Sequence, residues 1–171
     1  MWLYENTEDN KARFVLGEHG NRPLICFGIN PSTAVPERLD RTLTQVQKRA
    51  KRTKHDGWIM FNLYPQRATD PNNLHKESVN NIHSKNLKAI KRIFSRYPES
   101  TVWAAWGGII KKRTFLKECL KDIVSILPKT VNWVQVADCK HPHHPLYLNK
   151  DLEFTSFDIN KYLKDLDKNN E

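Results

Sequence analysis

The sequence is short of glycine and cysteine and has no long apolar run. Its six glycines include one Gly-Gly pair, Gly107-Gly108, which fits neither the dinucleotide-binding nor the P-loop spacing. Its three cysteines, Cys26, Cys119 and Cys139, are far apart and form no C-x-x-C pair. That excludes a disulfide framework, a zinc finger and an iron–sulfur cluster. No metal and no cofactor are expected. No apolar stretch approaches the ~20 residues of a membrane span. Trp2 to Asn10 is acidic and polar, unlike a secretory leader, so the expectation is a cytoplasmic protein with no membrane partner. Internal repeats and low-complexity linkers are absent too.

What is present is positive charge and alternating apolar blocks. The formal charge is +9 over 171 residues. Residues 151–171 hold six acids (Asp151, Glu153, Asp158, Asp165, Asp167 and Glu171) against three lysines, a net −3, so residues 1–150 carry +12. A body that basic favours a polyanionic partner, nucleic acid first and a nucleotide second. The runs Lys48 to Lys54 and Lys85 to Arg92 also fit the ordinary fate of charge runs, solvated helix faces. The length predicts one α/β domain over residues 1–150, followed by an acidic tail, 151–171, with a short helix near Phe157 to Leu166.

Trp2 to Tyr4 and Arg13 to Leu16 flank a turn-rich segment and read as an N-terminal β-hairpin. Four continuous apolar runs then read as buried strands: Leu24 to Phe27, Trp58 to Phe61, Thr101 to Trp106, and Val131 to Val136. Segments with helical spacing separate them, at Arg41 to Lys54, Val79 to Tyr97 and Lys111 to Leu127. This alternation predicts a short, mostly parallel four-stranded sheet. Parallel strands deliver their carboxyl ends to one edge, where open α/β sheets bind ligands. The residues delivered are Gly28-Ile29-Asn30-Pro31-Ser32, Asn62, Gly107 and the segment His141-Pro142-His143-His144-Pro145.

Taken singly, Asn30 and Asn62 are strand-end caps at least as readily as site residues. Together with the histidines they form a convergent polar set. A side-chain amide can orient a water or read a base edge. Three imidazoles in four residues lack companion ligands at metal spacing, which favours one histidine acting as a hydrogen-bond donor or electrostatic stabiliser. A surface histidine-rich turn is the plain alternative.

Several motifs occur in a telling order: Gly28-Ile29-Asn30-Pro31-Ser32-Thr33-Ala34, Asp40-Arg41-Thr42, Asn62-Leu63-Tyr64, Arg67-Ala68-Thr69-Asp70-Pro71, Ala105-Trp106-Gly107 and His144-Pro145-Leu146-Tyr147. In this combination the chain resembles the bacterial and phage family called domain of unknown function 1643. More distantly, Gly28-Ile29-Asn30-Pro31, Trp106-Gly107 and His144-Pro145 with Leu148 resemble the mismatch-specific branch of the uracil-DNA glycosylase superfamily. That resemblance implies a three-layer α/β/α fold and hydrolysis of the N-glycosidic bond of a modified or mismatched base in DNA. It implies that Asn30 positions the attacking water and Asn62 binds the Watson–Crick edge of a flipped base. His144 would stabilise charge on the departing base, and Leu148 would fill the gap in the stack. No aromatic lies between Pro31 and Trp58 to stack on the base, which leaves Tyr64 as the substitute. Gly28, Ile29, Pro31, Ser32, Gly107 and Pro145 complete the expected pocket. Two other readings stay open: a non-catalytic nucleic-acid or nucleotide-binding module on the same fold, and a hydrolase of a free nucleotide or nucleoside.

Overall fold

A computed structural model of the protein describes residues 1–168. The expectation for the acidic tail therefore falls partly, at 169–171, outside the described residues. Among the described residues seven strands form one sheet, in the order β1-β2-β4-β3-β5-β6-β7. The strands are β1 (Trp2–Asn6), β2 (Arg13–Glu18), β3 (Pro23–Gly28), β4 (Gly57–Asn62), β5 (Thr101–Ala104), β6 (Asn132–Val136) and β7 (Phe154–Ser156). The helices are α1 (Arg41–Arg52), α2 (Asn80–Arg96), α3 (Thr114–Ile126) and α4 (Ile159–Lys168).

The α/β class is as read from the sequence, but the expected four-stranded sheet is a seven-stranded mixed one. β4, β3, β5 and β6 are mutually parallel. The N-terminal hairpin does not stand apart. Its β2 pairs antiparallel with β4 and continues the sheet. At the far edge β7 pairs antiparallel with β6. Both additions have the same cause, since a bare edge strand is a row of unpaired backbone groups. Three residues, Phe154-Thr155-Ser156, are too short and too polar to announce a strand by pattern.

β3 lies at the centre and all six of its residues are buried, as are all six of β4. Parallel strands covered on both faces read as continuous apolar runs, and these do. One face packs on α2, α3 and α4 around the rings of Phe27, Phe61, Phe94 and Trp133. The other packs on α1 through Leu43, Val46 and Ala50. The chain after residue 150 belongs to this architecture. Phe157, Ile159, Tyr162 and Leu166 join the first core, and Asp167 sits 3.0 Å from Lys117 and 2.9 Å from Lys121 on α3. Among the described residues no helix is long and apolar enough to cross a membrane.

The crossover from β3 runs through α1 on one face, and the crossover from β5 runs through α3 on the other. β3 and β5 are neighbours, so a crevice opens between their carboxyl ends.

Candidate functional site

A cavity of about 770 Å³ fills that crevice. Its floor is the end of the central strands. The register pairs Gly28 of β3 with Asn62 of β4. The backbone N–H groups of Leu63 and Tyr64 donate to the Gly28 and Ile29 carbonyls, each at 2.9 Å, so β4 stays locked to β3 past its end. On the other side Ala105 N–H donates to the Phe27 carbonyl at 2.9 Å. The strand ends are thus fixed by backbone bonds, and the side chains they carry inherit that rigidity.

Asn62 is the outstanding group. It is 2% exposed and lines the cavity, yet neither its Nδ2 nor its Oδ1 has a partner. Its backbone carbonyl accepts from Asn86 Nδ2 at 2.9 Å. A buried amide left unpaired costs about 1–3 kcal/mol for each group. Gly28 makes room for it. A Cβ at Gly28 would sit 3.0 Å from Asn62 Oδ1 and 2.7 Å from Met60 Cε.

One wall consists of two loops tied together. Asn30 Nδ2 donates to the Ala68 carbonyl at 2.7 Å and to the Pro31 carbonyl at 3.1 Å. Ala68 N–H returns a bond to the Pro31 carbonyl at 2.9 Å, and the Ser32 and Thr69 hydroxyls lie 3.0 Å apart. Arg67 donates to the Ser32 and Ala34 carbonyls behind them. With its nitrogen committed, the Asn30 amide retains Oδ1 as an acceptor.

The opposite wall carries the histidines. His144 Nδ1 accepts the Leu146 N–H at 3.2 Å, so in the neutral ring the proton resides on Nε2. Burial pushes the His144 pKa below its ordinary 6.5, against an opposing pull from Asp40. His141 is held from behind. Trp106 Nε1–H donates to Tyr162 Oη at 3.0 Å, which leaves the Tyr162 hydroxyl to donate to His141 Nδ1 at 2.8 Å. Burial, with Lys111 and Lys140 adding to it, lowers the His141 pKa as well. Burial raises the Tyr162 pKa to about 12, so the hydroxyl keeps its proton. The cavity therefore presents two neutral imidazoles, each with its proton on Nε2. The turn that aims them depends on Gly107, at φ 64°, whose N–H donates to the Pro142 carbonyl at 2.7 Å. His143 also lines the cavity, with its Nε2 2.9 Å from Cys139 Sγ. Among the described residues no group of three or more His, Cys, Asp or Glu side chains is placed to hold a metal ion.

Residues 13–146 match a family described as protein of unknown function, DUF1643. The chain belongs to this family. No curated protein and no solved structure matches it. The DUF1643 segment ends before β7 and α4, although Tyr162 of α4 holds a cavity histidine in place.

Of the residues singled out in the sequence, Gly28, Ile29, Asn30, Pro31, Ser32, Asn62, Gly107 and His144 line the cavity together. Three do not. Tyr64 is fully buried, its ring against Phe115 and its hydroxyl 2.7 Å from His75 Nδ1, so it offers no face to a ligand. Pro145 is buried under the histidine segment. Leu148 packs on the core beside α1. Its neighbour Tyr147 is the exposed one, 80% accessible at the rim. Sequence reading gave no site role to Arg13, nor to Asp40-Arg41-Thr42, which it noted only as a motif. A signal for the latter existed: a helix that follows a strand must begin at that strand's carboxyl edge, so the start of α1 faces the site.

Proposed function

We propose that the cavity holds a nucleobase extruded from DNA and that the protein hydrolyses its N-glycosidic bond, as a uracil-DNA-glycosylase-like enzyme. The observation carrying this reading is the Asn62 amide, buried at the cavity floor with two donors and an acceptor unused. A base edge offers the complementary acceptors and donor. In the step, a water oxygen bonds to the sugar C1′ as the C1′–N bond breaks. The electron pair leaves on the base, and the water proton passes to it or to solvent. Asn30 Oδ1 accepts a hydrogen bond from the water and orients it. The Nε2–H of His144 donates to the base oxygen on which charge grows, a preorganised dipole of the kind that dominates such catalysis. Tyr147, exposed at the rim, fills the gap in the stack in place of Leu148. The likeness of Gly28-Ile29-Asn30-Pro31 and His144-Pro145 to glycosylase motifs favours the same reading.

A second reading is a binding module without catalysis. It is favoured by Asn30 itself, whose amide nitrogen is spent on two carbonyls in a loop-bracing role. One assay separates the two. Oligonucleotides bearing uracil, mismatches and modified bases are incubated with the protein and scored for abasic sites. Turnover that Asn30→Ala and His144→Ala abolish is expected. Salt-sensitive binding with no abasic product from any substrate would leave the module.

A further inference from the structure

Arg13 begins β2 and is one of the residues lining the cavity, although it is only 2% exposed. An arginine so deep ordinarily has a carboxylate against it. Among the described residues Arg13 takes part in no ion pair. Its Nη1 donates to the Ala34 carbonyl at 3.2 Å, and its Nε is buried without a partner. Arg67 lies beside it, bound to that same carbonyl at 3.2 Å, also with an unpartnered Nε. Burial, joined by the Arg67 charge, lowers the Arg13 pKa to about 10 against the pull of Asp40, so Arg13 is charged at neutral pH. Arg13 and Asp40 both line the cavity, and Asp40 is the carboxylate that pulls toward the charged form of Arg13.

The start of α1 faces the same space. Arg41 and Thr42, its first two residues, line the cavity. Asp40 caps the next two positions, accepting Leu43 N–H on its side chain at 2.9 Å and Thr44 N–H on its carbonyl at 3.0 Å. The Arg41 and Thr42 N–H groups remain for a ligand, at the positive end of the helix.

We propose that Arg13 and the first turn of α1 form an oxyanion subsite that takes the phosphoryl group of the same ligand whose base reaches Asn62. A guanidinium fork on one side and helix N–H groups on the other suit a tetrahedral oxyanion with several acceptor oxygens. The phosphoryl group belongs either to a free nucleotide or to the backbone of a strand. The subsite deepens the nucleobase reading and rests on it only for the far end of the ligand.

The test titrates inorganic phosphate into the full chain at constant ionic strength while following the Arg13 Nε–H resonance. A saturable shift is expected, and a resonance that phosphate leaves unmoved would overturn the subsite. Arg13→Gln, checked for folding by circular dichroism, is expected to weaken phosphate binding about tenfold or more. Equal binding by the folded variant also overturns it. Should the variant not fold, the resonance of the unaltered protein decides alone. An uncharged nucleoside separates the two proposals. Phosphate binding without nucleoside binding refutes the base reading only, and the reverse refutes the subsite only. A nucleoside 5′-monophosphate and a short single-stranded oligonucleotide then identify the source, by which of them moves the resonance at lower concentration.

Discussion

Replacing Asn62 with leucine should make the free protein more stable while it destroys ligand binding. Both polar atoms of this amide are buried and unpaired, so the folded state bears their desolvation without compensation. Each such group costs about 1–3 kcal/mol. Leucine has the same number and branching of side-chain heavy atoms and no polar atom, and its bulkier methyl groups have the cavity to enter, so imperfect fit returns less than about 1.5 kcal/mol. The expected net gain for Asn62→Leu is about 1–3 kcal/mol. In a chain of this size each kcal/mol moves the melting temperature by about 2–4 °C. Chemical denaturation and thermal melts without ligand measure the gain, and nucleoside titration measures the accompanying loss of binding. A site held open against stability is the expected signature of function. If Asn62→Leu is instead destabilised by more than about 1 kcal/mol, the amide is satisfied in the native protein and does not burden the fold.

Gly28→Ala should push the Asn62 amide and Met60 out of place, costing about 1–3 kcal/mol. The double variant with Met60→Ala should recover only part of this, because the 3.0 Å approach to Asn62 Oδ1 remains; full recovery in denaturant titrations would show that Asn62 is free to move. His55, His141 and His144 all have pKa values lowered by burial from 6.5. The unfolded chain therefore binds more protons than the fold, so stability falls as pH drops below about 6.5 and levels off below the folded values. Melting temperatures that stay flat from pH 7 to pH 5 would contradict this, and His144→Gln should flatten the slope. Tyr162→Phe should strand the Trp106 indole N–H, which is fully buried, at a cost of about 1–3 kcal/mol. It should also raise the His141 exchange rate between ring orientations, read by NMR; an unchanged imidazole signal would remove Tyr162 from the site.

The convergence of Asn30, Asn62, Gly107 and His144 could be read from the sequence because buried parallel strands announce themselves as apolar runs. Where such a run stops, the next polar residue stands at the sheet edge. The sheet's true width could not be read. β2 looks like half of an isolated hairpin, and β7 has three residues of no particular pattern. Tyr64 was expected at the pocket and Tyr147 was given no role, for one reason. A loop aromatic carries no periodicity, so nothing distinguishes one that turns into the core from one that stands at the rim. Arg13 was invisible in the same way. An arginine opening a strand is normally solvated, and only the fold shows that the Pro31 to Ala34 loop closes over it.

The last two elements carry a practical consequence. A chain cut at residue 146, where the family segment ends, would lose β7, Tyr162 and the apolar face of α4. β6, which carries Trp133, Val134 and Val136, would become a bare edge, a template for pairing with other copies. Trp106 and Phe157's neighbours in the core would meet water. Such a fragment would contain nearly every cavity residue and still be a poor reagent, prone to self-association and with His141 unaimed. For this fold, the boundary of sequence similarity is not the boundary of the cooperative unit.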